Sequence, residues 1–212
     1  MREPFLTSPA RVRRAYDLLA PVYGALLELS FPHYGRAVRE VFRREICALA
    51  PSCVFEVGPG TGFATRGILE GAPGTPVVAV DLSARMLRRA RRRLGAGNPA
   101  WLVGDVCRGL PLRSAVADVV VCQYAAGHFT DPLEAFCEMF RVLRSGGTLL
   151  LGGKEASGWG RVGRWINGTR GLDRNATCEQ LVAAGFRDAA FAELSPTQTR
   201  FRSRFLLFRA QV

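Results

Sequence analysis

Val54-Phe55-Glu56-Val57-Gly58-Pro59-Gly60-Thr61-Gly62 is the stretch whose reading decides the fold. Apolar and β-branched residues feed a Gly-x-Gly-x-Gly turn, and Phe63-Ala64-Thr65-Arg66-Gly67-Ile68-Leu69 follows with the apolar spacing of a helix. A strand, a glycine turn and a helix in that order form the first crossover of a nucleotide-binding α/β sheet. Lacking Cβ atoms, Gly58 and Gly60 are expected to let the backbone turn sharply and approach a ligand. Gly62 is expected to let the helix pack close to the strand. The helix start then points free N–H groups and a positive dipole end at whatever is bound.

Downstream, strand and helix patterns alternate. Strands are expected at Pro76 to Asp81, Trp101 to Val103, Ala117 to Cys122 and Thr148 to Leu151, with helices after about 63, from Ser83 to Leu94 and from Pro132 to Leu143. The fourth strand is almost continuously apolar, as a strand buried on both faces should be. Gly146-Gly147 is expected to end the third helix, and Thr177-Cys178-Glu179-Gln180 to start another as a capping box closed by Gly185. Two β-like runs, Ala189 to Leu194 and Phe201 to Arg209, finish the chain. Upstream, residues 8 to 50 read as helices, opened by Ser8-Pro9 and interrupted at Pro21 and Pro32. The pattern predicts a doubly wound α/β sheet in one domain over residues 1–212. Its expected parts are a helical cap (1–52), a binding core (53–151), a Gly- and Arg-rich connection with Trp159 and Trp165 (152–175), and a C-terminal helix and hairpin (176–212).

Composition narrows the classes. An apolar content of 48% with 22% charged residues is that of a globular chain, and no apolar run approaches the ~20 residues of a membrane span. A secretory leader is not evident, so a cytoplasmic protein is expected. The net charge is +11, and Lys154 is the only lysine, so the excess is arginine. That bias reads either as a compositional habit or as attraction to phosphates of nucleic acid, lipid headgroups or an acidic substrate. The six cysteines form no Cys-x-x-Cys pair and no metal spacing with the two histidines; no metal is expected, and the thiols read as small buried hydrophobes.

Three strand ends carry the chemistry. Asp81 closes the second strand, where a carboxylate accepts both hydroxyls of a ribose diol. Asp105, after the third strand, lies on the same carboxyl edge, within reach of an exocyclic adenine amine. Glu56 stands two residues before the first glycine. A carboxylate there would repel a pyrophosphate but suit an ammonium group, and Gly58-Pro59-Gly60-Thr61-Gly62 departs from the Gly-x-Gly-x-x-Gly spacing of dinucleotide sites. The pattern leans to S-adenosylmethionine.

Glu56 to Gly62, Asp81-Leu82-Ser83 with Met86-Leu87, Gly104-Asp105 with Leu110-Pro111, Asp118 to Val121, and Glu138 to Gly147 resemble the successive motifs of class I S-adenosylmethionine-dependent methyltransferases. The resemblance implies a Rossmann-like seven-stranded sheet, mostly parallel with an antiparallel last strand, and N-terminal helices capping the cofactor site. It implies cofactor contacts by Tyr23, Glu56, Gly58, Pro59, Gly60, Thr61, Gly62, Asp81, Leu82, Met86, Asp105, Val106 and Gln123, with S-adenosyl-L-homocysteine as product. Tyr16-Asp17-Leu18-Leu19-Ala20-Pro21-Val22-Tyr23 is similar to a segment of the ubiquinone/menaquinone-biosynthesis methyltransferases and of the bacterial phosphatidylethanolamine N-methyltransferases. A small-molecule or lipid acceptor is therefore expected, with membrane contact through the basic first helix as a further expectation. An RNA methyltransferase and a non-catalytic S-adenosylmethionine-binding module are the alternatives. A sulfonium is already activated, so no catalytic residue is fixed by the chemistry; His128 and Tyr124 are the candidates for a general base.

Overall fold

The computed structural model describes residues 8–30, 33–95, 99–155, 171–193 and 205–212. Strands β1 (Val54–Val57), β2 (Val77–Asp81), β3 (Ala100–Val103), β4 (Ala117–Gln123), β5 (Leu143–Lys154), β6 (Arg187–Glu193) and β7 (Phe205–Gln211) form one sheet in the order β3-β2-β1-β4-β5-β7-β6. All run parallel except β7, which is antiparallel to both neighbours, β5 and β6. The expected topology is the observed one. The order reverses between β1 and β4, and in open parallel sheets the crevice at such a switch point is where ligands bind.

Alternation along the strands divides the core into two layers. Phe55, Val57, Val120, Cys122, Leu149 and Leu151 face α6 (Pro132–Val142) and α7 (Arg174–Ala183), packing with Phe136, Met139 and Leu181. Val54, Val119, Val121 and Leu150 face α3 (Tyr34–Leu49) and α4 (Phe63–Gly71), meeting Val38, Phe42, Ile46 and Ile68. Val38, Phe42 and Ile46 recur every fourth residue, so one stripe of α3 is buried. The third N-terminal helix thus covers the sheet, and only α1 (Pro9–Leu19) and the start of α2 (Tyr23–Ser30) lie over the crevice.

Two expected boundaries move for identifiable reasons. Helix α6 ends at Val142, and β5 begins at once with Leu143, so Gly146-Gly147 lies inside the strand segment and does not terminate a helix. Gly146 adopts φ 75°. Glu138 and Arg141 hold the preceding turn: Glu138 accepts from Leu110 N (2.6 Å), and Arg141 donates to the Leu110 and Leu112 carbonyls while pairing with Glu138. Helix α7 starts three residues before the expected box, because Asp173 is its cap, accepting from Ala176 N at 2.9 Å. Thr177 is instead buried within the first turns. Strand β7 runs to Gln211; Trp159, Trp165 and Phe201 lie outside the described residues. Among the cysteines only Cys122 is fully buried, and Cys47 is exposed, so the expectation of buried thiols holds in part.

Asp118 fastens the central strands at their amino ends. One carboxylate oxygen accepts from Ser52 N (2.6 Å), Ser52 Oγ (2.5 Å) and Cys53 N (2.8 Å), and the other pairs with Arg144. Asp118→Ala strands two backbone donors beside the core. It should lower stability by about 2–4 kcal/mol in urea unfolding, with an unchanged m-value; a loss within error of zero would show that water replaces the carboxylate.

Candidate cofactor cleft

Each glycine of the turn after β1 takes a left-handed backbone, with φ 68° at Gly58, 56° at Gly60 and 84° at Gly62. Their surroundings separate their roles. A Cβ on Gly58 would meet Ala125 Cβ at 2.3 Å, so the turn presses against the loop after β4. A Cβ on Gly62 would come 2.8 Å from Leu94 of α5 (Ala84–Leu94), so the close packing it permits is with a helix, not with the strand as the spacing suggested. Gly60 alone has nothing within 4 Å, because it faces open space. That space is a cleft enclosing about 790 Å³, solvent at its mouth included, along the carboxyl ends of β1, β2, β3 and β4.

Asp81 lines the cleft at the end of β2. Its oxygens accept from Gly60 N (3.0 Å) and Ser83 N (2.8 Å), so one carboxyl group ties the glycine turn to the start of α5. Burial pushes Asp81 up to about 6, with the charge of Asp17 adding to the shift and the two N–H donors opposing it. Glu56 sits beneath the turn with 1% of its surface exposed. Neither carboxyl oxygen makes a hydrogen bond of normal geometry, and burial raises the group to about 8, moderated by the nearby Thr65. A buried carboxyl in this state is incomplete until a donor, ideally cationic, arrives.

Asp105 caps the short 3₁₀ turn Val106–Arg108, with Oδ1 accepting from Cys107 N at 3.1 Å, while its buried Oδ2 makes no hydrogen bond and pairs with Arg108 Nε only at 3.7 Å. Gln123, closing β4, leaves both amide atoms unpaired. These spare acceptors and donors fall on the cleft rim, where an adenosine and a methionine moiety would each need partners. Tyr23, Leu82, Met86, Val106, Tyr124 and His128 line the same cleft. Glu56, Pro59, Thr61 and Gly62 do not reach it directly; they lie under or behind the turn.

Tyr124 adopts φ 61°, an uncommon backbone for an aromatic residue and one that tends to mark functional loops. Burial raises its phenol well above the usual range, so it holds its proton. His128 is pushed down to about 4 by burial and is neutral near pH 7. Its Nε2 lies 2.6 Å from Tyr16 Oη, and its buried Nδ1 has no hydrogen bond. The Tyr16 ring meets both His128 and Tyr23 edge-on, at 5.0 and 5.6 Å between centroids. A base with so low an affinity for protons orients an acceptor better than it deprotonates one.

Pro9, Val12, Tyr16, Ala125, Phe129 and Thr130 also line the cleft, and none was singled out by motif spacing. For Tyr16 the available signal was its place in Tyr16-Asp17, beside the apolar face of α1. Among the described residues no group of acidic, histidine or cysteine side chains is arranged to hold a metal. No described helix is long and apolar enough to cross a membrane.

The methyltransferase domain family model matches residues 55–151, from the glycine turn to β5. The malonyl-[acyl-carrier protein] O-methyltransferase of Halorhodospira halophila is 30% identical, aligned over 91% of this chain and 67% of its own length. The demethylmenaquinone methyltransferase of Deinococcus radiodurans is 32% identical over 66% of this chain and 58% of its own. The chain spans about half the length of several other curated relatives it matches. The methyltransferase in complex with the Trm112 activator of Haloferax volcanii superposes with a TM-score of 0.72 over 92% of this chain and 96% of that one, at 18% identity, a likeness of fold. The matched segment carries the glycine turn and the acidic strand ends that build the cleft, together with the Glu138–Arg141 pair of α6, and by that correspondence the chain belongs to the class I S-adenosylmethionine-dependent methyltransferases.

Proposed function

We propose that this chain, acting as a single methyltransferase unit, transfers the methyl group of S-adenosylmethionine to a small molecule or lipid. The observation that carries the reading is Glu56, a buried carboxyl with no hydrogen-bond partner beneath a glycine turn that opens on the cleft. The α-ammonium of the cofactor, directly or through water, answers that deficit; a pyrophosphate would not. Asp81 takes the ribose diol, Asp105 Oδ2 the adenine amine, and Gln123 the remaining polar atoms of the methionine end. Tyr23, Leu82, Met86 and Val106 form the walls, and Gly60 keeps the backbone clear. When bound, the cofactor supplies a methyl group on a sulfonium, ready for direct displacement.

The protein's part is then to align an acceptor and exclude water. Tyr16, Tyr23, Tyr124, His128 and Phe129 give the cleft an aromatic side, and among the described residues no lysine or arginine lines it. That wall suits a flat or apolar acceptor such as a quinol better than a free carboxylate. His128 Nδ1 is the group that would orient the acceptor, its ring fixed by Tyr16.

A second observation favours an acceptor at a membrane. Leu18 (68% exposed), Val22 (50%), Leu26 (44%) and Leu29 (79%) present apolar side chains to the outside of α1, α2 and the turn between them, and Arg11, Arg13 and Arg14 of α1 are exposed as well. Exposed apolar residues together with arginines suit an anionic bilayer surface, whereas a polyanion such as RNA would make no use of the leucines.

Three outcomes test these readings. Gly60→Arg should abolish S-adenosylhomocysteine binding in calorimetry while lowering the thermal transition by only a few degrees, because the side chain enters free space and the cost is the roughly 1–2 kcal/mol of a left-handed backbone at a non-glycine residue; retained affinity would remove the cleft as the cofactor site. Glu56 is mostly protonated below about pH 8 in the free protein and must ionise to hold an ammonium. Binding at pH 7 should therefore release close to one proton, and affinity should fall by up to about tenfold per pH unit as pH drops below that value. Titrations in buffers of different ionisation enthalpy measure this; no proton release, or the same slope in Glu56→Gln, would contradict it. Leu18→Ser/Leu29→Ser should weaken co-sedimentation with phosphatidylglycerol vesicles by about tenfold or more, given the apolar area removed; equal binding would assign these leucines another role.

A further inference from the structure

Helix α1 is fastened to the rest of the molecule mainly by polar contacts, since Val12 is its one buried residue. The dipeptide Tyr16-Asp17 reaches both walls of the cleft. Tyr16 Oη meets His128 Nε2 on the β4 side at 2.6 Å. Asp17 Oδ1 accepts from Ser83 Oγ on the β2 side, also at 2.6 Å. Arg85 and Arg89 of α5 reinforce that side by donating to the Asp17 and Pro21 carbonyls (3.4 and 3.0 Å).

Two features single out the Asp17–Ser83 bond. An acidic residue in the last turn of α1 opposes that helix's own dipole, so its position needs an external reason. The reason is the start of α5, where the carboxylate sits against the positive end of a second helix through its cap residue. Ser83 is 1% exposed and fully engaged: its N–H donates to Asp81 Oδ1 (2.8 Å), its hydroxyl donates to Asp17, and its Oγ accepts from Met86 N (3.1 Å). One residue therefore holds both the carboxyl group assigned to the ribose and the anchor of the helix that carries Tyr16.

We infer that Asp17 is a positioning residue that couples occupancy of the ribose site to the acceptor side of the cleft: ribose on Asp81 fixes Ser83, Ser83 fixes Asp17, and Asp17 sets Tyr16 against His128. The inference rests on the reading of Asp81 as the ribose partner. Its consequence is reciprocal: a filled ribose site holds α1 more firmly, and with it the aromatic wall on which the acceptor rests, an effect that adenosine produces and methionine alone does not.

Backbone hydrogen exchange in residues 9–30 of the full chain tests this, measured without ligand, with S-adenosylhomocysteine, with adenosine and with methionine. In the parent protein S-adenosylhomocysteine and adenosine should slow exchange of α1 by about ten- to a hundredfold, the range spanned by a hydrogen bond to a charged group, and methionine should not. Asp17→Ala should bind S-adenosylhomocysteine without that protection, whereas Asp17→Asn, whose amide oxygen still accepts from Ser83, should keep most of it. A loss of protection caused by general destabilisation would appear in both variants and in the thermal transition. Ligand-dependent protection that persists in Asp17→Ala, or binding with no protection in the parent, overturns the inference and leaves the cofactor reading standing. Absence of S-adenosylhomocysteine binding in the parent protein overturns both.

Discussion

A carboxyl group buried without a partner is the constraint around which the cleft is organised. Burial pushes Glu56 up to about 8, so ionisation where it lies calls for a cation, and among the described residues no ion pair supplies one. The packed layers on both faces of β1 and β4 hold that position dry. The left-handed glycine turn follows directly, and its Gly60 faces the open cleft. The deficit of the apo site and the chemistry of the family's cofactor are thus two sides of one electrostatic requirement.

The acidic strand ends extend this logic in graded form. Asp81 has two backbone donors and a moderate upward shift, while Asp105 spends one oxygen on a local cap and keeps the other from any hydrogen bond, 3.7 Å from the Arg108 guanidinium. Local structural duty and ligand binding are compatible because a carboxylate accepts on several lone pairs. An aspartate at a strand end read as a turn cap and one read as a ligand partner need not be rival descriptions.

What the sequence made legible was whatever depends on near neighbours. The apolar runs at 54–57 and 117–122, the glycine spacing and Asp81, Asp105 and Glu56 all fall where pattern placed them, because strand period and turn chemistry act over a few residues. The misreadings were competitions between signals: Asp173 outcompeted Thr177 as a cap, and Leu143 turned extended and paired with Ala117 before the glycine pair was reached. The bonds that carry Tyr16 and Asp17 were beyond this kind of reading. They join residues 112 and 66 positions apart, and no period connects α1 to His128 or Ser83. The glycines showed a subtler limit, since spacing located all three without showing which one faces a ligand, a helix or a loop.

The near-exclusive use of arginine for positive charge has a consequence for how the molecule senses acidity. Guanidinium groups keep their protons throughout the accessible range, and with Lys154 the only lysine in a chain of net charge +11, the outer field is almost fixed. Asp81 in the cleft and Glu56 beneath its turn are the carboxyls that burial moves up into the range of about pH 6 to 8. Long-range attraction to anionic partners thus rests on the arginines and short-range hold on a cationic ligand on these two carboxyls, so the two are governed by separate variables.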